Sequence, residues 1–309
     1  MEGSGQIEAL NMEELLKLRA LGSNICTNAC DPWLPLGAQG IYGGTMVAHC
    51  IMAARATVRG DCSIASLRST FVQGGAPRTP IHYKVDELEA DASLPLRAVR
   101  ASQKGQCIFT AVVRFQIRPH QDARDSLAMH QATSRKVMGP VKDGGGAAEC
   151  PYICSDLEVS SDPQNSPQDI TISQWVKVRR PLMLDDPMAQ LAAIAYMSDN
   201  YLLPMATRVH GIHWVRDPEV LPSSLKPSQL QPIDEGVNLM VSLDHTILFH
   251  PVAEAVRADA WIRPEMQSPW AGHERALVSQ RMFAATGHLI ATVYQEGVLR
   301  MNQPAYPML

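Results

Sequence analysis

The chain has no excess of basic residues, no long apolar run, no Cys-x2-Cys pair and no Gly-x-Ser-x-Gly turn, and each absence removes a class of function. Lys and Arg total 27 against 31 Asp and Glu, so the charge of -4 offers no electrostatic footprint for DNA or RNA. No apolar run approaches the roughly 20 residues that cross a bilayer. The start, Met1-Glu2-Gly3-Ser4-Gly5-Gln6, lacks the basic then apolar order of a signal peptide. These absences lead to the expectation of a soluble intracellular protein with no nucleic-acid partner and no membrane span. The end, Pro307-Met308-Leu309, keeps a terminal leucine without the small and basic residues of a Ser-Lys-Leu address, leaving cytoplasm or peroxisome open.

Seven cysteines are an odd number in a long chain, and Cys50, Cys62 and Cys107 lie in apolar stretches, so a disulfide framework is not expected. Cys26 with Cys30 and Cys150 with Cys154 have four-residue offsets without zinc-motif spacing, and no metal or other cofactor is expected. His210 and His213 flank Gly211 and read as a surface or hydrogen-bonded pair sooner than as ligands.

What is present is periodic. Apolar residues are 46% and charged residues 19%, enough to build two cores in 309 residues. Two segments are apolar on every side and read as enclosed helices: Thr45 to Ala56, led in by Gly43-Gly44, and Met188 to Tyr201, led in by Asp186-Pro187. Strand-like runs follow the first at Ile64 to Phe71, Ile81 to Leu88, Leu96 to Ser102 and Cys107 to Ile117. Others follow the second at Arg208 to Val215, Val237 to Phe249, Ala276 to Ala284 and Leu289 to Arg300. Ile170 to Val178 reads as the opening strand of the second half. One enclosed helix and then an antiparallel meander, used twice, is an α+β duplication of the double hotdog kind, each sheet wrapping its helix. The expected division is residues 1–120, a linker or excursion over 121–168 with Gly144-Gly145-Gly146 and several prolines, and residues 169–309.

Three polar residues fall where this pattern should be apolar. Asp199 shares a helical face with Met188, Leu191, Ala192, Ala195 and Tyr196. Gln295 lies on the strand face of Leu289, Ala291, Val293 and Leu299, and Ser242 lies in another strand-like run. Burying such groups unpaired costs roughly 1–3 kcal/mol each, a cost that a shared partner such as a water relieves.

Several motifs resemble the acyl-CoA thioesterase II family, a double hotdog group of hydrolases. Ile41-Tyr42-Gly43-Gly44-Thr45-Met46-Val47-Ala48 is similar to the family's F-G-G-Q-V-V-A, and Pro80-Ile81-His82-Tyr83-Lys84-Val85 to its P-I-x-Y-x-V strand. In the second half Ala195-Tyr196-Met197-Ser198-Asp199, Ser242-Leu243-Asp244-His245-Thr246-Ile247-Leu248-Phe249-His250, Ser268-Pro269-Trp270-Ala271-Gly272 and Gln295-Glu296-Gly297-Val298-Leu299-Arg300 all look like family motifs. The resemblance spans nearly the whole chain. It implies hydrolysis of an acyl-CoA, or another thioester, by direct attack of water, with Asp199, Ser242 and Gln295 as the catalytic set. Asp199 would take the proton of the water, while Ser242 and Gln295 would hold it. Gly43 and Gly44 would admit a substrate close to the backbone. Trp270 is the remaining substrate-binding candidate, against the plainer reading of a packing anchor in a loop. Asp244 and His245 read as positioning or structural groups, since neighbours in a strand face opposite ways.

The first half departs from the pattern. Where members have H-S-L-H-x-Y-F the chain reads Ala65-Ser66-Leu67-Arg68-Ser69-Thr70-Phe71, and D-G-R-S-F-x-T-R is reduced to Asp91-Ala92-Ser93-Leu94-Pro95-Leu96-Arg97. Such drift suits a specialised acyl group from a biosynthetic pathway. Two other functions stay open at this point: a non-hydrolytic dehydratase, isomerase or cyclase on an acyl or polyketide-like intermediate, and a silent acyl-binding protein. Exposed sheet edges also leave homo-oligomers open.

Overall fold

The computed structural model describes residues 11–35, 38, 40–88, 94–117, 130–134, 149–160, 166–183, 186–212, 236–251 and 256–302. A short helix α1 (Met12–Leu16) starts at Asn11, whose side chain accepts from the Glu13 N–H. Strands β1 (Leu18–Gly22) and β2 (Ile25–Asn28) lead to the first enclosed helix, α2 (Gly43–Arg55). Then come β3 (Cys62–Phe71), β4 (His82–Glu87), β5 (Leu96–Gln103) and β6 (Gln106–Ile117). Four short strands follow, β7 (Tyr152–Cys154), β8 (Glu158–Ser160), β9 (Thr171–Ser173) and β10 (Val176–Val178). The second enclosed helix is α3 (Pro187–Met197), followed by the single turn α4 (Met205–Arg208). Long strands β11 (Val237–Phe249), β12 (Ile262–Gly272), β13 (Arg275–Ala284) and β14 (Leu289–Met301) complete the chain.

Among the described residues these strands form one sheet in the order β1-β2-β4-β5-β6-β3-β11-β14-β13-β12-β10-β7, with β8 and β9 branching from β12. The order runs alike outward in both directions from the β3–β11 junction: long strands first, then shorter ones at each edge. Leu67 pairs with Ile247 at that junction, and Ser69 donates from Oγ to the His245 carbonyl at 2.7 Å. Two sheets are thus joined edge to edge, each wrapped over one helix, which is the double hotdog architecture.

Both helices are enclosed for the reason their composition gives. In α2, Val47, Ala48, Cys50, Ile51 and Ala54 are fully buried, and in α3 Met188, Ala189, Ala192, Ala193, Ile194 and Ala195 are. No polar face remains for solvent. At the start of α3 the Asp186 side chain accepts from the Met188 N–H at 2.9 Å with Pro187 in the first turn, as the sequence anticipates. The one histidine in α2, His49, is satisfied inside the core. Its Nδ1 meets Tyr83 Oη at 2.7 Å and its Nε2 meets the Leu15 carbonyl at 2.6 Å, tying α1 and β4 to the helix.

Four expectations need correction. Helix α3 ends at Met197, not Tyr201: past Ser198 the Asn200 N–H turns to the Met197 carbonyl at 3.1 Å, and Tyr201 takes φ 51°, outside the right-handed helical region. Arg208 to Val215 is not a strand in its described part: Pro204 caps α4, and Thr207 Oγ1 returns to the Pro204 carbonyl at 3.0 Å. The run Ile170 to Val178 is split into β9 and β10. Strand β12 was hidden by Pro264 and Pro269, and the motif read as a loop, Ser268 to Gly272, is its last part, where the register shifts between Gln267 and Trp270. Within the segment that composition marks as a linker, β7 pairs with β10 and β8 with β9; the triple glycine lies outside the described residues.

The two helices pack against each other, and at Gly44 the approach is very close. A Cβ on Gly44 would strike the Tyr196 carbonyl oxygen and come within 2.5 Å of Tyr42 Cε1. Gly44→Ala should therefore lower stability by about 2–3 kcal/mol, the upper part of the range for overpacking. Urea unfolding checks this, and an unchanged midpoint would contradict the close approach.

Candidate active site

Strict alternation along β11 would put Ser242 and Asp244 on one face and His245 on the other. The register with β14 slips between Ser242 and Asp244, making Leu243 the extra residue of a bulge. Ser242 and His245 consequently both face inward, while Asp244 faces outward and accepts from the Glu296 N–H at 3.3 Å. On β14 the alternation holds. Ala291, Val293 and Gln295 are buried between the exposed or half-exposed Thr292, Tyr294 and Glu296. Asp199 lies two residues beyond α3, after Ser198 has closed the helix by donating its N–H to the Ile194 carbonyl.

These three elements converge. Gln295 donates both amide hydrogens, to Asp199 Oδ1 at 2.7 Å and to Ser242 Oγ at 3.0 Å. From the other half of the chain, the Gly44 N–H at the start of α2 donates to Asp199 Oδ2 at 3.0 Å. A Cβ on Gly43 would come within 2.6 Å of the same oxygen and 2.9 Å of Phe71 Cζ, so bare backbone is required there. Gln295 Oε1 is a buried acceptor to which no group among the described residues donates. Asp199 and Ser242 are half-buried, so the cluster keeps access to the surface.

The electrostatics follow from this packing. Burial pushes the Asp199 carboxyl up to about 6, with the hydrogen bonds from Gln295 and Gly44 pulling the other way. Its donors are neutral N–H groups, and among the described residues no Lys or Arg forms an ion pair with it, which removes the plain reading of a salt-bridged helix end. A carboxylate ionised at neutral pH yet within reach of protonation is suited to taking a proton from a weak acid such as water. Among the described residues Ser242 is bonded to an amide and not to a base, so none of them activates it as a nucleophile.

Of the residues singled out in the sequence, Asp199, Ser242, Gln295, Gly43 and Gly44 are brought together. Trp270 is not. It lies on the outer face of β12, 40% exposed, with the Arg275 guanidinium 5.8 Å from its ring centroid. Among the described residues no group of three metal-ligating side chains occurs; His213 lies outside them. Sequence reasoning missed an aromatic group against Gly44: the Tyr42 ring lies tilted 5.0 Å from Tyr196 and edge-to-face 5.5 Å from Trp33, and Tyr42 Oη donates to the Tyr196 carbonyl at 3.0 Å. Tyr42 and Tyr196 each stand in a motif, but 154 residues separate them, and no local signal shows that their rings meet.

The family model for the acyl-CoA thioesterase C-terminal domain matches residues 124–299, and that for the N-terminal domain matches residues 30–116. The chain belongs to the acyl-CoA thioesterase family. Among its relatives is acyl-coenzyme A thioesterase 8 of Mus musculus, 28% identical, the match covering 97% of this chain and 92% of the relative. The peroxisomal acyl-coenzyme A thioester hydrolase 1 of Saccharomyces cerevisiae is 25% identical, with 93% of each covered. A solved acyl-CoA thioesterase II from Mycobacterium marinum superposes with a TM-score of 0.71 at 26% identity, covering 96% of this chain and 99% of that one. A hot dog protein from Alicyclobacillus acidocaldarius, at 16% identity and a TM-score of 0.70, shares the fold over 95% of this chain and 98% of its own.

Two buried histidines give this family member an acid-sensitive core. Burial lowers both His49 and His245 to about 4, below the ordinary value near 6.5, so each ring is neutral in the fold and takes up a proton on unfolding below that value. The stability they contribute is present above about 6.5 and lost as the pH falls toward 4, while Asp199, raised to about 6, opposes them with one proton. Unfolding free energy should fall from pH 7 to 4.5 in urea titrations. A flat or rising profile would mean that the rings are charged in the fold.

Proposed function

We propose that this thioesterase cleaves acyl-CoA by direct attack of water, with Asp199 as general base and Ser242 and Gln295 holding the nucleophile. The observation that supports this most directly is the pair of bonds from one Gln295 amide to Asp199 and Ser242, which leaves the carboxylate free to accept and the serine hydroxyl free to donate. As water oxygen bonds to the thioester carbon, its proton passes to Asp199. Collapse of the tetrahedral intermediate breaks the C–S bond, and the departing thiolate of CoA takes the proton back. The Gly44 N–H is engaged by Asp199, so the donor to the developing oxyanion is another group.

Thiol release from a panel of acyl-CoAs should fall by about 10²-fold or more in Asp199→Asn, the scale of a lost general base. In the wild type kcat/KM should drop as the pH falls through about 6, the pH at which Asp199 takes up its proton. Turnover by Asp199→Asn at the wild-type rate would remove this assignment.

The acyl group is part of the same proposal. The second missing histidine of the first half is Arg68, which is exposed between Val112 and Thr246 on the outer face, away from Asp199, whereas Phe71 of the same strand packs 4.8 Å from Phe109 inside. Drift at the outer position leaves hydrolysis untouched, and a specialised biosynthetic acyl group is the reading carried; straight long-chain acyl-CoA proving the best substrate would overturn it. An intracellular location, cytoplasmic or peroxisomal, is proposed alongside, the Saccharomyces cerevisiae relative being named as peroxisomal. Pairing of two chains through the terminal strands β1 or β7 is proposed too, and light scattering that finds monomer alone would exclude it.

A further inference from the structure

We infer that His245 is a positioning residue that aims Asp199 through the hydroxyl of Ser198. The inference rests on Asp199 being the base. His245 is completely buried on β11, directly opposite Gln295 in the register with β14. Its ring crosses from the sheet to the end of α3, where Nε2 meets Ser198 Oγ at 3.0 Å. Ser198 Oγ in turn donates to the Ala195 carbonyl at 2.8 Å, which uses its only proton. The serine therefore accepts from His245, placing the ring proton on Nε2 and leaving Nδ1 as a buried lone pair without a partner among the described residues.

The chain geometry makes this bond consequential. Ser198 is the residue immediately before Asp199, and the helix has already ended at Met197, so the intrahelical ladder no longer fixes the carboxylate. On the other side of Asp199, Asn200 is clamped: Oδ1 accepts from Tyr152 Oη at 3.1 Å, and Nδ2 donates to Gln174 Oε1 at 3.1 Å. His245 supplies the matching clamp and anchors it to the strand that also carries Ser242. Its carbonyl is fixed from the other half by Ser69 Oγ at 2.7 Å. One ring thus ties the base to the strand that carries its partner, and a misplacement near 1 Å in such a set can cost about 10²-fold in rate.

The test uses His245→Leu, His245→Gln, Ser198→Ala and the His245→Leu/Ser198→Ala double variant, assayed by thiol release and thermal unfolding beside Asp199→Asn. His245→Leu and Ser198→Ala should each lower kcat by about 10- to 100-fold with KM changed by less than about twofold. His245→Gln, whose Nε2 can still donate to Ser198, should recover most of the loss. The double variant should be no slower than the worse single variant, because both break one bond. The inference is overturned if folded Ser198→Ala keeps the wild-type kcat, if the two losses multiply, or if His245→Gln is no better than His245→Leu. Should His245→Leu fail to fold, Ser198→Ala and His245→Gln decide the matter. Wild-type turnover by Asp199→Asn would instead strike the general-base assignment itself, a result separate from the behaviour of the His245 series.

Discussion

The hydrogen bond from the Gly44 N–H to Asp199 is the constraint on which the rest of this architecture depends. It can form only where the first turn of α2 meets the chain just past α3, and that meeting requires residues 43 and 44 to have no side chain. Two helices without a solvent face must in turn be wrapped by sheet, and wrapping both demands a sheet long enough to be shared. The carboxylate is thus held by backbone from one half and by side chains from the other. A positive helix end beside it favours ionisation, whereas burial opposes it, and burial wins by enough to leave the group titratable near neutrality.

Much of this was legible from residue types alone. The helices announce themselves because a segment such as Val47 to Ile51 has no polar side except His49, and Asp186-Pro187 is a start signal that functions locally. Gln295 was visible because β14 keeps strict alternation from Ala291 to Glu296. Asp199 was placed on an apolar stripe for a partly wrong reason: the helix stops before it, and what holds it facing the site is the turn at Ser198 to Tyr201, not the helical period.

Other features depend on long-range pairing and could not be read. The bulge at Leu243 is set by where β14 registers against β11, and it alone brings Ser242 and His245 to the same face. Without it the reading that Asp244 and His245 oppose one another is right, but the relation of either to Ser242 comes out wrong. Strand β12 escaped because Pro264 and Pro269 are poor strand residues; it carries them beside register shifts and short partners. Trp270 could not be assigned a face, since the shift between Gln267 and Trp270 turns the strand just before it.

The edge-to-edge junction of β3 with β11 has a further consequence for how such a site is inherited. Two separate single-helix units would have to find each other in solution, and any change in one would appear in both. A covalent link makes the encounter intramolecular, equivalent to a standing partner concentration in the millimolar range for a short connection, whatever the dilution of the protein. It also divides the labour. The first half can contribute bare backbone and an aromatic wall while the second contributes the acid, the serine and the amide, and a residue altered in one copy leaves its counterpart unchanged.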